Sequence, residues 1–163
     1  EFPVRIMYGS QTGNAESIAK DLHASLLARG FACTVTEMDA WKKWDPPLEK
    51  TVAAVVVTST TGNGDPPENC ARFYRFLKRR TQPKDLLKNV HYTVLGLGDT
   101  NYDKFCFMGK ALHSRFAELG ASCFMDPAWA DEGTDLEGGV EPFLAALPGA
   151  LLALFAQLRG DAA

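Results

Sequence analysis

Apolar residues alternate along the chain between two patterns. Runs such as 51–58 and 92–97 are apolar at nearly every position and rich in β-branched residues, which is typical of strands buried on both faces. Segments such as 14–29 instead carry apolar residues three and four positions apart, which is typical of amphipathic helices. The pattern predicts strands at 4–8, 32–38, 51–58, 92–97 and 122–125, and helices at 14–29, 69–80, 105–119 and 140–158.

This alternation predicts the fold class. Strands that alternate with helices and are apolar on both faces form a parallel sheet covered by helices on each side. We therefore expect residues 1–163 to form a single α/β domain, a three-layer sandwich around a five-stranded parallel sheet. Such sheets bind ligands beyond the carboxyl ends of their strands, so the loops after strands one, three, four and five are the candidate site.

Composition narrows the class of protein. The chain has 163 residues, of which 46% are hydrophobic and 23% charged, with a formal net charge of −3. These values exclude a collagen, an acidic tail and a disulfide-stapled miniprotein, and the length is too short for separate cofactor and substrate domains. No uncharged apolar run reaches the ~18 residues that cross a bilayer, so we expect no membrane segment in this chain.

The four cysteines indicate the redox compartment. They are far apart and include no CxxC pair, so the sequence predicts neither a zinc site nor a disulfide framework. We expect a reducing, cytoplasmic location. The chain begins Glu-Phe-Pro, without an initiator methionine or a signal-peptide pattern, which we interpret as a processed boundary.

The small net charge conceals two oppositely charged regions. Residues 72–88 carry seven basic residues against Asp85, whereas residues 99–141 carry nine acidic residues and three basic ones. Two solvated faces would explain this distribution. The alternative is an acidic docking surface for a basic protein partner.

The loop after the first strand has the composition of a phosphate site. Residues 9–15 (GSQTGNA) combine glycine and small hydroxyl residues at the start of a helix, where backbone N–H groups favour an anion. The loop lacks the lysine of a Walker motif and is not GxGxxG, so one phosphate monoester held by neutral donors fits better than a nucleoside triphosphate.

The other loops suit a flat ring. Residues 59–69 contain two glycines that permit close backbone approach, and residues 96–106 place Tyr102 in a polar loop. Tyr102 either packs on its own domain or stacks on a ligand. One phosphate and a planar heterocycle together describe flavin mononucleotide (FMN), whereas no second phosphate site for a dinucleotide is evident.

Three of these motifs resemble those of a known family. Segments 9–15 (GSQTGNA), 61–66 (TGNGDP) and 95–99 (LGLGD), followed by Tyr102 and Phe105, resemble the FMN loops of the NADPH-dependent diflavin reductases, which include cytochrome P-450 reductase. Segments 60–67 and 105–110 are most similar to the methionine synthase reductase branch. The resemblance implies a flavodoxin-like fold with strand order 2-1-3-4-5.

The resemblance also implies the residues of the site. The 9–15 loop would bind the phosphate, the 60–63 segment one face of the ring and the 96–106 loop the other face, with Tyr102 stacked on it. Either Asp131 or Glu132 would be the acidic residue near the flavin. The full set is Ser10, Gln11, Thr12, Gly13, Asn14, Ala15, Thr60, Thr61, Gly62, Asn63, Gly96, Leu97, Gly98, Asp99, Asn101, Tyr102, Phe105, Cys106, Asp131 and Glu132.

Two positions depart from the family pattern. Thr61 replaces an aromatic residue found in many members, so only one aromatic side chain would cover the ring. Cys106 replaces a common amide, and it is either a small packing residue or a thiol near the flavin edge. We assign no catalytic acid or base and no metal, because electron transfer through a flavin requires neither.

The resemblance implies an electron-transfer function. The chain would be the FMN domain of a longer reductase, receiving electrons from an NADPH- and FAD-binding domain and passing them to a protein acceptor such as a haem or cobalamin protein. A free-standing flavodoxin and an interaction module that has lost FMN are the alternatives. The basic residues lack interleaved aromatic residues, so we expect no nucleic-acid partner.

Overall fold

The computed structural model describes residues 2–11, 13–61 and 64–160, which form alternating strands and helices. The strands are β1 (Val4–Gly9), β2 (Cys33–Glu37), β3 (Ala53–Thr58), β4 (His91–Gly98), β5 (Ser122–Cys123) and β6 (Ala128–Asp131). The helices are α1 (Asn14–Ala28), α2 (Ala71–Leu77), α3 (Phe107–Glu118) and α4 (Leu136–Arg159). Short 3-10 turns occur at Met38–Lys43, Leu48–Lys50 and Glu68–Cys70.

The sheet has the predicted order. Its strands run β2-β1-β3-β4-β5, and every pairing is parallel. β1 and β3 are buried along their whole length, as expected for central strands covered on both faces. The prediction of a doubly wound, three-layer α/β domain is confirmed, and the carboxyl ends of β1, β3 and β4 lie side by side at one edge.

The sheet also has a strand that the sequence did not predict. β6 pairs with the carboxyl-terminal half of β4, in register from Leu95 with Ala128 to Gly98 with Asp131, where we expected a loop over 126–139. Strand β5 is correspondingly shorter than predicted. The four residues of β6 are too few for a periodic signal, and the strand is stabilised by the Trp129 ring, which packs over Gly96 and Gly109.

Two cores hold the helices on the sheet. One contains α1 and α4 with residues of β1, β3 and β4, and the other contains α2 and α3 with the alternate residues of the same strands. Alternation along each strand sends side chains to opposite faces, so each strand contributes to both cores. The sheet is thereby fixed between two helical layers, which makes its carboxyl edge a rigid base for loops.

Two helices differ from their predicted lengths. α2 is a single α-helical segment of seven residues, because a 3-10 turn replaces its expected start and the chain leaves the helix after Leu77. α4 begins four residues earlier than expected, where the Asp135 carboxylate accepts a hydrogen bond from Gly138 N (3.0 Å). The Gly138-Gly139 pair obscured this start in the sequence, yet Gly139 allows α4 to approach Ala130 closely.

Helix α4 is unusually apolar. It has 24 residues and a mean hydropathy of 1.7 in its most apolar window, so its length and composition alone would allow it to cross a membrane. In the domain it packs on the sheet through Val140, Phe143, Leu147, Leu151 and Phe155. The inward face of α4 therefore forms part of the core between the sheet and one helical layer.

The contact between β4 and Trp129 predicts a stability difference between two glycines. A Cβ atom at Gly96 would lie 2.7 Å from Trp129 Cε3, whereas a Cβ atom at Gly149 in α4 would meet nothing within 4 Å. We expect Gly96→Ala to destabilise the domain by about 1–3 kcal/mol through overpacking. Gly149→Ala should stabilise it by about 0.5–1 kcal/mol. Urea unfolding measures both, and equal effects of the two substitutions would contradict the packing described.

Candidate functional site

The site lies at the carboxyl edge of the sheet, where four loops follow β1, β3, β4 and β6. The first loop closes on itself through Ser10, whose Oγ accepts a hydrogen bond from Gly13 N (2.9 Å). Gly13 has a left-handed conformation with φ 97°, which glycine adopts at little cost. The Ser10 hydroxyl keeps its own proton, so it can still donate to a ligand.

Helix α1 supplies further donors to this loop. The helix starts at Asn14, and its first intrahelical bond runs from Ser17 N to Gly13 O (2.9 Å). The backbone N–H groups of Asn14, Ala15 and Glu16 therefore have no acceptor within the helix. Free N–H groups at a helix start, together with a serine hydroxyl, form an anion site built from neutral donors.

The first loop is tied to the segment that follows β3. Ser10 N donates to Asn69 Oδ1 (2.8 Å), and Glu68 N donates to Gln11 Oε1 (3.2 Å). Gln11 N also contacts Ser59 Oγ at 3.4 Å. These bonds hold the first two loops together, and they occupy the Gln11 side chain as a structural link.

The second loop forms a closed turn. Thr61 N and Thr61 Oγ1 both donate to Asp65 O (3.1 and 2.8 Å), and Gly64 N donates to Thr61 O (2.8 Å). Thr60 Oγ1 accepts a hydrogen bond from Met108 N (3.1 Å), which joins the turn to the start of α3. The hydroxyl groups of both threonines therefore stabilise the loop itself.

The third loop is packed tightly under the end of β4. A Cβ atom at Gly98 would lie 2.5 Å from Cys106 N, so no side chain fits there. Cys106 is fully buried with φ 51°, and its Sγ lies 3.4 Å from Gly96 O. Burial raises the pKa of this thiol to about 12, which keeps it protonated at neutral pH. Cys106 was expected to be either a small packing residue or a thiol near the flavin edge. A buried, neutral thiol fits the packing role.

Tyr102 is exposed at the outer surface of the third loop. The loop folds around Asp99, whose carboxylate accepts from Asn101 N (2.8 Å) and whose carbonyl accepts from Tyr102 N (3.0 Å). The Tyr102 side chain is 54% exposed, which is unusual for a large aromatic residue. This exposure disagrees with the interpretation that Tyr102 packs on its own domain. It is consistent with the interpretation that the ring stacks on a ligand.

Asp131 joins the third loop to the loop after β6. Its carboxylate accepts hydrogen bonds from Thr100 N (3.1 Å), Thr100 Oγ1 (2.5 Å), Gly133 N (2.9 Å) and Thr134 Oγ1 (2.9 Å). The bond from the Thr100 hydroxyl is the largest of the effects that lower the pKa of Asp131 to about 2. Glu132, by contrast, has an exposed side chain and donates its backbone N–H to Gly98 O (2.7 Å).

Some residues predicted for the site do not direct their side chains towards it. Leu97 is buried in the core with α1 and α4, so only its backbone can face a ligand. Phe105 is partly buried and lies beside Lys110, whose Nζ is 5.2 Å from the ring centroid. Thr12, Gly62 and Asn63 lie outside the described residues. The prediction also missed the linking residues Ser59, Asn69, Thr100 and Thr134.

Most of the missed residues share one property. Ser59, Asn69 and Thr100 bond to residues distant in sequence, so no local motif marks them. Thr134 is the exception, because it bonds to Asp131 three positions before it. Thr100 follows Asp99 in a turn, for example, but its acceptor Asp131 is 31 positions away. The only available signal was the density of Ser, Thr, Asn and Asp in these loops, which indicates loop-to-backbone bonding without identifying partners.

The fold and the site together define a class of protein. A doubly wound domain with one neutral anion loop and an exposed aromatic ring at the strand ends is a mononucleotide-binding α/β domain. The chain belongs to the flavodoxin family, whose model matches residues 6–143. A flavodoxin mutant from Pseudomonas aeruginosa superposes with a TM-score of 0.75 at 31% identity, over 92% of this chain and 99% of that one. A Streptococcus pneumoniae TIGR4 flavodoxin gives 0.71 at 27% identity, over 90% and 98%.

Curated relatives are longer proteins. Methionine synthase reductase from Bos taurus is 39% identical over 95% of this chain, and NADPH-dependent diflavin oxidoreductase 1 from Xenopus laevis is 39% identical over 92%. The chain spans 22% and 25% of the length of these two relatives. The resemblance to the diflavin reductases inferred from the three motifs is thereby confirmed.

The cofactor that this family implies is FMN, and the residues present fit it. The serine hydroxyl and the free N–H groups at the start of α1 can bind one phosphate group without a metal or a lysine. The exposed Tyr102 ring offers a flat surface at the same edge of the sheet. Gly13 leaves open space beside the loop, since a Cβ atom there would meet nothing within 4 Å.

The bonds of Asp131 predict that it orders the loop that carries Tyr102. In Asp131→Asn an amide N–H₂ group replaces one carboxylate oxygen and can no longer accept hydrogen bonds from the donors of Thr100, Gly133 and Thr134. We therefore expect faster hydrogen exchange at residues 99–103 and a lower Tm. Glu132→Gln removes the same charge one position away and should change neither. Because the pKa of Asp131 is lowered, its contribution to stability is present above about pH 4 and is lost as the pH falls towards about 2. Unaltered exchange in the Asn variant would refute this role.

Proposed function

We propose that this chain is the FMN-binding electron-transfer domain of an NADPH-dependent diflavin reductase. It would receive electrons from an FAD- and NADPH-binding domain of the same natural polypeptide and pass them singly to a protein acceptor. The observation that carries the proposal is the pairing of a neutral phosphate loop with the exposed Tyr102 ring on one edge of a flavodoxin sheet. The relatives named as reductases, of which this chain spans about a quarter, support the assignment to a longer enzyme.

In this function the residues of the chain bind and orient the cofactor, and the cofactor carries the electrons. FMN, when bound, accepts and releases electrons at its ring system. The Ser10 hydroxyl and the first N–H groups of α1 would hold the phosphate, and Tyr102 would cover one face of the ring. The closed turn at Thr61 would support the other face, with backbone in place of the aromatic residue found in many family members.

Glu132 is the acidic residue that we propose for the flavin edge. The Asp131 carboxylate is occupied by four hydrogen bonds within the loops, whereas the Glu132 side chain is exposed. An exposed carboxylate beside the ring disfavours added negative charge there, which lowers the potential of the bound flavin. The carboxylates of Asp65, Asp99, Asp103 and Glu132 outnumber the cation of these loops, Lys104, so this edge is acidic.

The acidic edge suits a basic protein acceptor. Opposite charges speed the encounter of two proteins without requiring a tight complex, which an electron carrier needs for rapid turnover. We propose a haem or cobalamin protein as the acceptor. The four cysteines are free thiols, two of them buried, which supports a cytoplasmic location.

A free-standing flavodoxin carrier is the second candidate. The flavodoxins described above are matched over 98–99% of their length, so the domain has the size of a complete carrier. The natural reading frame distinguishes the two functions, because a diflavin reductase continues into FAD- and NADPH-binding sequence after Ala163.

Tyr102 provides a direct test of flavin binding. We expect the purified protein to bind one FMN with quenching of the flavin fluorescence, and Tyr102→Ala to raise the Kd about tenfold through loss of ring stacking. Tyr102→Phe keeps the aromatic surface and should bind nearly as tightly as the unmodified chain. If the unmodified protein takes up no FMN, the chain is an interaction module and the proposal is wrong.

Salt dependence tests the docking surface. For FMN-loaded protein reduced with dithionite, we expect the rate of cytochrome c reduction to fall between about 20 mM and about 200 mM ionic strength, because screening weakens the attraction. Ferricyanide is an anionic acceptor, so its reduction should instead become faster. Stopped-flow spectroscopy measures both, and two rates with the same salt dependence would contradict an acidic docking surface.

A further inference from the structure

A basic surface lies between α2 and β4, in a segment to which the proposed function gives no role. Residues 78–88 contain five basic residues and one acidic residue, Asp85. All five basic residues are exposed, and together they define the basic surface: Lys78, Arg79, Arg80, Lys84 and Lys88. A surface that only keeps a protein soluble mixes charges of both signs, so this excess of one sign favours recognition of an anionic partner.

The basic surface lies at the amino edge of the sheet, opposite the site loops. Leu87 N donates to Leu119 O (2.8 Å), just after α3 ends. His91 N donates to Val52 O (2.9 Å), just before β3 begins. Both bonds therefore lie where the parallel strands start, and a partner bound there leaves the carboxyl edge accessible.

Hydrogen bonds hold the backbone that carries these cations. The Arg115 guanidinium donates from Nε to Leu77 O (2.6 Å) and from Nη2 to Arg79 O (3.2 Å). Gln82 Nε2 donates to Phe76 O (2.7 Å). Carbonyl groups left open at the end of α2 are thereby satisfied. Because this backbone is already ordered, less entropy is lost when a partner binds.

Most cations of the basic surface have no carboxylate partner. Lys88 lies 4.0 Å from Asp85, and within the described part of the chain no other cation of this surface forms an ion pair. The charge of the remaining four is therefore available to an anionic partner.

Two of these cations cover aromatic rings of α2. Lys78 Nζ lies 4.6 Å from the ring centroid of Tyr74. The Arg79 guanidinium lies 5.4 Å from the ring centroid of Phe76. Both rings are only partly exposed, so they offer no free surface on which nucleic-acid bases could stack.

A groove borders the basic surface between α2 and α3, and it has a volume of about 350 Å³. Its lining combines apolar surface and a hydroxyl group with two cations and one carboxylate: Tyr74, Lys78, Ala111, Ser114, Arg115 and Glu118. The Glu118 carboxylate is paired with Arg115 at 3.2 Å, so Lys78 gives the groove its excess charge. A concave groove between two helices accepts the protruding side chains of a polypeptide, which a flat bilayer surface does not provide.

We propose that the basic surface and the adjoining groove dock an acidic segment of a partner protein. Carboxylates of that segment would meet the cations, and one of its apolar side chains would enter the groove. The inference goes beyond the proposed function and does not depend on flavin binding. Opposite charges at the two edges of the sheet allow an acidic partner at the amino edge while a basic acceptor approaches the carboxyl edge.

The test uses two synthetic peptides labelled with fluorescein. One repeats Glu-Glu-Leu and the other repeats Glu-Glu-Ser, so they carry the same charge and differ in their apolar side chains. Fluorescence anisotropy gives the Kd of each for the unmodified chain. We expect the leucine peptide to bind at least about threefold more tightly, because leucine loses apolar surface to the groove, and salt should weaken both. Equal affinities, or no binding of either peptide, would overturn the proposal.

The variant Lys78→Gln/Arg80→Gln/Lys84→Gln removes three charges of the basic surface. We expect it to raise the Kd of the leucine peptide about five- to twentyfold at low salt, the range given by three exposed charge interactions. Thermal unfolding of the variant verifies the fold. An unchanged Kd in the folded variant would contradict the docking surface.

The matched control, Arg29→Gln/Lys42→Gln/Lys43→Gln, removes three charges at exposed positions outside the basic surface. It should change the Kd of the leucine peptide by less than about twofold, because screening limits the reach of distant charges. Equal losses in the two variants would show that the peptide responds to net charge alone, and the proposal would then be wrong.

Competition identifies the class of partner. Vesicles that contain phosphatidylserine and a single-stranded DNA oligonucleotide are each compared with unlabelled leucine peptide as competitors. We expect the unlabelled peptide to displace the labelled one most effectively. More effective displacement by the vesicles would assign the surface to a membrane, and by the oligonucleotide to a nucleic acid, and either result would overturn the proposal.

Discussion

The close approach of backbone at the end of β4 is the constraint on which the rest of the site depends. Gly96 lies against the Trp129 ring and Gly98 lies against the backbone of Cys106, at distances that leave no room for a side chain. This contact allows β6 to pair with β4 and α3 to begin directly beneath the third loop. The position of Tyr102 follows from it, because the loop that carries Tyr102 starts at Gly98 and ends at Cys106.

Hydrogen bonds between loops then convert this packed edge into a ligand site. Asp131 fastens the third loop to the loop after β6, and Asn69 and Gln11 fasten the first loop to the segment after β3. Each link joins residues far apart in sequence, so the loops are ordered by one another as well as by the strands beneath them. These links hold the backbone that presents the exposed Tyr102 ring at the edge of the sheet.

Charged side chains surround the site on both sides. The phosphate end has neutral donors, and the groove beside it is lined by two arginines and three carboxylates. The edge near Tyr102 carries exposed carboxylates. The anion site at the phosphate end therefore depends on the backbone N–H groups at the start of α1 and the Ser10 hydroxyl. The net charge of −3 conceals this separation. Residues 72–88 carry seven basic residues and one acidic one, residues 99–141 carry nine acidic and three basic ones, and the two excesses of six cancel.

The sequence by itself determined the alternation of strands and helices and the loops that form the site, because periodic apolar patterns and short glycine motifs are local signals. It identified Tyr102 and the phosphate loop for the same reason. The strand order came from the resemblance of three loop motifs to a known family. Only the tertiary structure decided that residues 128–131 form a strand, that Asp131 is occupied within the loops while Glu132 is exposed, and that Leu97 points into the core. These features depend on partners that are distant along the chain, such as Trp129 with Gly96 and Asp131 with Thr100, and no local pattern encodes a partner.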